Sequence, residues 1–155
     1  MKTLTLTQPW ASLVAIGAKT VETRSWRTEY RGPIAIHAAK GFPREARDTC
    51  EYMPFVQELE RPGIYSGSSA LLRGAVVATA ELVDVVSTER IYADISRGRW
   101  SRHVKGGMVM ISDLEFDFGD FSEEPMRYAW LLANVVRLGV PIPAKGMLGL
   151  WEWSA

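Results

Sequence analysis

LTLTQPWASLVAIGAKTVETRSW, residues 4–26, changes its hydrophobic period twice. Thr3 to Leu6 alternates polar and apolar residues, the two-residue repeat of a strand. Gln8-Pro9 ends that run, and Pro9 suits the first position of a helix, where its missing N–H would have no partner. Trp10, Leu13, Val14 and Gly17 follow at helical spacing. They predict about two turns of helix, closed by a Gly17 free to take the left-handed conformation. From Thr20 to Trp26 alternation returns, with Val21 and Thr23 set against Glu22 and Arg24.

Tyr30-Arg31-Gly32-Pro33 then reads as a turn before a strand from Pro33 to Ala38, so residues 20–38 are expected to form a hairpin. Ala46, Cys50, Met53, Val56 and Leu59 keep helical spacing through 43–60, with a break at Pro54. GAVVATAELVDVV (74–86) is small and β-branched, and reads as a long strand. Residues 87–107 are polar and rich in arginine, with a weak helix signal at Thr88 to Ile95, and are read as an insertion or lid. Met108 to Phe118 is assigned one or two strands and Arg127 to Leu138 another. VPIPAKG is a loop before a closing strand at Leu148 to Trp153. Short strands, frequent turns and early helices give an α+β class: a mixed β-barrel of about six strands with two or three peripheral helices, rather than a parallel βαβ sheet.

At 155 residues the chain suits one domain spanning 1–155. Hydrophobic residues make up 47% and charged residues 23%, which excludes disordered and collagen-like classes. One cysteine, Cys50, and two histidines are too few for a disulfide framework or a Cys/His zinc site, so no metal or cofactor is expected. The polar start MKTLTLTQPW and the lack of a long apolar run argue against secretion and membrane insertion, leaving a cytoplasmic protein, monomeric or weakly dimeric. Net charge is zero, but it is unevenly spread. Residues 17–47 hold seven basic and three acidic side chains, residues 90–105 hold five and one, and 113–124 hold six acids and no base. The surface is expected to be polarised, with arginine, the fork-shaped phosphate ligand, supplying most of the positive charge.

No phosphate loop, dinucleotide fingerprint, nucleophile elbow or HExxH helix occurs. The sequence does offer G-x-K-x-x-E-x-R from Gly17 to Arg24. Glu22 and Arg24 share a strand face, and Lys19 lies on the turn feeding it. Cations at Lys19 and Arg24 suit phosphate oxygens, and Glu22 can accept from an amino or hydroxyl group. A surface ion-pair ladder worth about 0–1 kcal/mol is the plainer alternative.

The Q-P-W-A opening and this motif resemble the ASCH domain family, relatives of the RNA-binding PUA-like barrels, and in particular its cointegrator-type branch. The likeness continues through RGPIAIHAAK (31–40), GAVVATAELVDVV, YAWLLANV and PIPAKGMLGLWEW. The resemblance implies a barrel with a cleft lined by Lys19, Glu22 and Arg24 and by basic and aromatic residues after them. RNA, other single-stranded nucleic acid or a modified nucleoside would bind there. Some small members look like amidohydrolases acting on acylated cytidine through a threonine, a lysine and a glutamate. This sequence departs from them: the position three residues after Lys19 holds Glu22, where those enzymes carry the threonine.

Trp26 and Arg27 offer a stacking indole and a phosphate ligand just after the motif. His37 lies in an apolar strand, where a core role and a cleft role both remain open. Lys40 and Lys145 each precede a glycine in a loop, and Lys145 stands just before the closing strand. Trp10 and Trp130 read as core, and Cys50 as packing. Two functions follow. One is a binding module using Lys19, Glu22, Arg24, Trp26, Arg27, His37, Lys40 and Lys145. The other is a small metal-independent hydrolase, an amidohydrolase or ribonuclease, with Lys19 as base and Glu22 or Glu81 moving protons.

Overall fold

The computed structural model describes residues 1–61, 70–96, 101–104, 107–122 and 124–154. In chain order its elements are β1 (Lys2–Leu6), α1 (Trp10–Ala15), β2 (Val21–Arg24), β3 (Gly32–Ala38), α2 (Arg44–Thr49), α3 (Phe55–Leu59), β4 (Ala75–Ser87), α4 (Thr88–Ser96), β5 (Ser101–Val104), β6 (Gly107–Met110), α5 (Asp113–Phe118), β7 (Tyr128–Pro143) and β8 (Leu150–Glu152). Six strands hydrogen-bond in the order β2-β7-β4-β3-β1-β8, and β5 pairs with β6 in a separate ribbon. This is the α+β, PUA-like class read from the sequence, with five short helices among the described residues where two or three were expected. The chain divides into two compact units: Met1–Lys19, Pro33–Ala80 and Val135–Ala155 form the first, Thr20–Gly32 and Glu81–Asn134 the second.

In the first unit β1 runs parallel to β3, Lys2 opposite Ile34 and Thr5 opposite His37, and antiparallel to β8, Leu4 opposite Leu150. Leu4, Leu6, Ile34 and Ile36 are buried together with Leu13 and Val14 of α1. Each such side chain stabilises the fold by about 1.5–3 kcal/mol relative to exposure. α1 packs on β1 and on α3, where Trp10 meets Phe55 edge to face at 6.2 Å. The QPW opening has a structural reason. Gln8 is fully buried, its Oε1 accepts from the Ser12 N–H at 3.1 Å, and its Nε2 donates to the Leu72 carbonyl. That single amide caps α1 and ties it to the segment leading into β4. Gly17 closes the helix at φ +76°, as its position predicts. Pro54 separates α2 from α3, also as expected.

In the second unit β2 pairs antiparallel with β7, Val21 opposite Leu131 and Arg24 opposite Tyr128. Val21, Val86, Ile91, Ile111, Phe121, Ala129 and Leu131 form its core. The buried Glu115 of α5 accepts from the Thr20 N–H, from Thr20 Oγ1 at 2.7 Å and from the Val21 N–H at 3.3 Å, fixing the start of β2. Thr23 Oγ1 accepts from the Asp120 N–H at 3.0 Å.

Two sequence expectations are corrected. β2 and β3 are not a hairpin: β2 pairs with β7, and β3 lies between β4 and β1. Alternation specifies a strand and its faces but carries no information on its partner. The stretch 108–118 holds one strand, β6, and then α5. Ser112 Oγ accepts from the Glu115 N–H at 3.3 Å, so this helix starts at the S-x-x-E spacing of a capping box, a signal outweighed in the sequence by the apolar residues around it. In the region read as an insertion or lid, α4 forms at Thr88–Ser96. Residues 97–100 and 105–106 of that region lie outside the described residues.

Candidate functional site

Lys19, the last residue of the first unit, follows the Gly17 turn, and its N–H donates to the Leu13 carbonyl at 3.1 Å. Its side chain is fully buried. Glu22 and Arg24 belong to the second unit, where the strand pleat brings them to one face and Arg24 Nη1 lies 3.6 Å from Glu22 Oε1. The Arg24 guanidinium stands 5.7 Å from the centre of the Trp26 ring. Trp26 in turn meets Trp130 edge to face at 4.6 Å and accepts at its carbonyl from the Trp130 indole N–H. Arg27, exposed, pairs with Glu29 at 2.6 Å. It lines a hollow of about 330 Å³ in the second unit with Arg31, Asp84, Ser87, Arg90 and Tyr128. Glu81 is half-buried on β4 and lines neither this hollow nor the larger one of the first unit.

Three other sequence candidates meet in the first unit. His37, Lys40 and Lys145 line one hollow of about 880 Å³, together with Thr5, Arg73 and Gly74, Ala144, and the rim residues Met147 and Leu148. The register of β1 on β3 sets Thr5 beside His37. β3 then ends, and the chain delivers Lys40 to the wall. Arg73-Gly74 arrives just ahead of β4, and Lys145 comes from the loop between β7 and β8. Arg73 was missed in the sequence, although it carries the same signal as Lys40-Gly41 and Lys145-Gly146: a base directly before a loop glycine.

A tight set of hydrogen bonds fixes these walls. Gly74, at φ +67° in the region that favours glycine, donates its N–H to the Ala38 carbonyl at 2.7 Å. Its carbonyl accepts from the Ala144 N–H at 3.0 Å. His37 Nε2 lies 3.0 Å from the Ala144 carbonyl, and Thr5 Oγ1 bonds the Met147 carbonyl at 3.1 Å. The Trp151 indole donates to Thr5 Oγ1 at 3.0 Å and packs edge to face on His37 at 5.8 Å. Trp151 on β8 thus supports the hollow from behind, and neither it nor Trp153 just beyond the strand lines it.

Burial holds the His37 pKa below its ordinary value, against a smaller upward pull from the Ala144 carbonyl. Nε2 faces a carbonyl and so carries the proton of the neutral ring, and the buried Nδ1 has no hydrogen-bond partner among the described residues. Among the described residues the lining charges are the cations Lys40, Arg73 and Lys145, with no carboxylate. Such a concavity concentrates positive potential and attracts anions. Burial also raises the Cys50 thiol to about 11, so it packs as an inert group. Among the described residues no three His, Cys, Asp or Glu side chains are grouped to hold a metal ion, and no helix is long and apolar enough to cross a membrane.

The sequence model of the ASCH domain matches residues 4–139. Activating signal cointegrator 1 of Homo sapiens is 33% identical over 154 residues, and that of Mus musculus 31%. The match takes in 96% of this chain but 22% of either relative, so the chain spans about a fifth of their length. Among solved structures, ASCH from Zymomonas mobilis aligns over 92% of this chain and 72% of its own, at 18% identity and a TM-score of 0.46. A point mutant of that protein aligns over 92% and 74%, at 16% identity and 0.47. The family model, which matches most of the chain, places it in the ASCH domain family, a PUA-like family associated with RNA binding.

Proposed function

We propose that the chain is a nucleic-acid-binding module that takes single-stranded RNA, or a nucleotide-like anion, in the hollow of the first unit. The observation that carries this reading is the convergence of Lys40, Arg73 and Lys145 on one concavity that no carboxylate lines among the described residues. Phosphate contacts supply most of the affinity of such modules and act through released counterions. The apolar rim residues Met147 and Leu148, 52% and 99% exposed, suit the face of a base or a sugar. Lys19 offers a dissolved phosphate no accessible surface, so the phosphate role passes from the G-x-K-x-x-E-x-R lysine to the three exposed cations. In this reading the motif shapes the start of β2, and Arg24 on Trp26 is a separate cation–aromatic contact.

The test is fluorescence anisotropy with a single-stranded oligoribonucleotide between about 50 and 200 mM salt. Replacing Lys40, Arg73 and Lys145 together by alanine is expected to lower the slope of log affinity against log salt by about 2, roughly 0.7 per lost phosphate contact. A triple variant with the wild-type slope and affinity removes the proposal. The hydrolase alternative has no observation of its own: Glu22 is engaged by Arg24, and Glu81 lines neither hollow.

A further inference from the structure

The two basic segments of the sequence, 17–47 and 90–105, are only partly used by the hollow of the first unit. Arginines from both meet in the smaller hollow of the second unit. Arg27 and Arg31 enter it from the segment after β2, Arg90 from the first turn of α4, Asp84 and Ser87 from the end of β4, and Tyr128 from the start of β7. Among the described lining residues three guanidiniums stand against one carboxylate, an excess of two positive charges.

These side chains are not equivalent. Arg31 is held in place: Nη2 lies 3.2 Å from Asp84 Oδ1, and Nη1 donates to the carbonyls of Thr28 at 3.0 Å and Tyr30 at 2.8 Å. Asp84 is itself oriented, accepting from the Val85 N–H at 2.8 Å. Among the described residues Arg27 is tied to Glu29, whose side chain is 81% exposed and free to swing into water. The Arg90 guanidinium has no ion-pair or hydrogen-bond partner among the described residues; only its backbone N–H is engaged, by Ser87 Oγ at 3.4 Å. One fixed arginine and two adjustable ones therefore surround a polar concavity with hydroxyls at Ser87 and Tyr128. The Asp84 carboxylate is occupied in aiming Arg31, so it does not repel an incoming anion at full strength.

We infer that this second hollow is a phosphate-binding site distinct from the first, selective for a phosphomonoester dianion over a phosphodiester. A dianion neutralises both surplus charges, and its three terminal oxygens can take a fork from Arg31, a second from Arg27 or Arg90, and the hydroxyl donors. A diester brings one charge and only two unesterified oxygens. The dianion is supplied either by the terminal phosphate of an oligonucleotide or by free phosphate.

The test follows backbone amide NMR signals during titration with inorganic phosphate, and in parallel compares 5′-phosphorylated with 5′-hydroxyl oligoribonucleotides of one sequence by anisotropy. Phosphate is expected to shift the Arg31, Ser87 and Arg90 amides saturably. Binding of the 5′-phosphorylated oligonucleotide should strengthen as pH rises through about 6, where its terminal monoester becomes a dianion. Arg27→Gln with Arg90→Gln is expected to weaken phosphate binding about tenfold. Both side chains are exposed, so an unchanged melting temperature verifies the fold of this variant. If the 5′-phosphorylated oligonucleotide binds several-fold more tightly than its 5′-hydroxyl counterpart, and the double variant loses that preference, the terminal phosphate is the source. Saturable phosphate shifts without a 5′ preference assign the site to free phosphate. Absence of saturable shifts, or a double variant that binds phosphate like the wild type, overturns the inference. The inorganic-phosphate titration and its double variant read residues other than Lys40, Arg73 and Lys145, so the failure of one site is distinguishable from failure of the other.

Discussion

Nε2 of His37 lies 3.0 Å from the carbonyl oxygen of Ala144, which joins β3 to the loop ahead of β8. The contact requires a proton on Nε2 and therefore leaves the buried Nδ1 as a bare lone pair. Protonating Nδ1 would place a charge where burial penalises it, and the pKa is accordingly lowered.

In the unfolded chain His37 takes up its proton near pH 6.5, and in the folded protein only at lower pH. Between those values the unfolded state holds more protons. Stability is therefore complete above about pH 6.5 and falls as the pH drops toward the folded pKa. Denaturant unfolding at a series of pH values is expected to show this decline, and His37→Gln to flatten it. An NMR titration of the His37 ring with a midpoint at or above the free-histidine value contradicts the assignment.

Gly146 allows the hollow to exist at its present size. A Cβ at this position would overlap Cε1 of His37 and come within 2.7 Å of its Nδ1 and 3.1 Å of Thr5 Oγ1. The ring is buried and packed edge to face against Trp151. Gly146→Ala is expected to cost about 1–3 kcal/mol, as overpacking does. It should also reduce oligonucleotide affinity by displacing Lys145. Equal melting temperatures and affinities for the two proteins would show that the loop yields freely.

Glu115 places one carboxylate on three donors at the start of β2. Glu115→Ala leaves two backbone N–H groups and a hydroxyl in want of an acceptor. The loss of stability is expected to be about 2–4 kcal/mol, with Glu115→Gln intermediate. Chemical denaturation measures it, and amide exchange at Thr20 and Val21 should accelerate in both variants.

Much of the fold was legible because the local signals were strong. Gly17 ended α1 where its freedom at positive φ is used, Pro54 broke the helical run, and the β-branched stretch 75–87 became β4. Strand partners were not legible: Val21 meets Leu131, more than a hundred residues away, and no local pattern encodes that pairing. The site was legible in its parts. His37, Lys40 and Lys145 were each singled out, yet their meeting depends on the parallel register of β1 with β3 and on the Gly74 peptide, which are properties of the sheet. Lys19 looked like an exposed ligand because a turn after a helix is usually at the surface, and its complete burial became visible only in three dimensions.

Two members of the G-x-K-x-x-E-x-R motif should therefore respond differently to removal. Lys19→Ala deletes a fully buried side chain and is expected to cost about 2–5 kcal/mol. Arg24→Ala removes a half-buried partner of Glu22 and Trp26 and should cost about 1 kcal/mol or less. Thermal melts of the two variants check the ranking, and a reversed order would return Lys19 to the list of accessible ligands.

The wall that carries Lys145, Gly146 and the apolar rim runs from Pro143 to Leu148, beyond residue 139 where the family match stops. Whoever excises a minimal fragment along that boundary discards half of the residues that line the hollow while keeping the G-x-K-x-x-E-x-R motif, Lys40 and Arg73. The same cut strips β8 from β1. The span of the family match and one wall of this basin thus lie in different parts of the chain, so a boundary drawn from the first does not preserve the second.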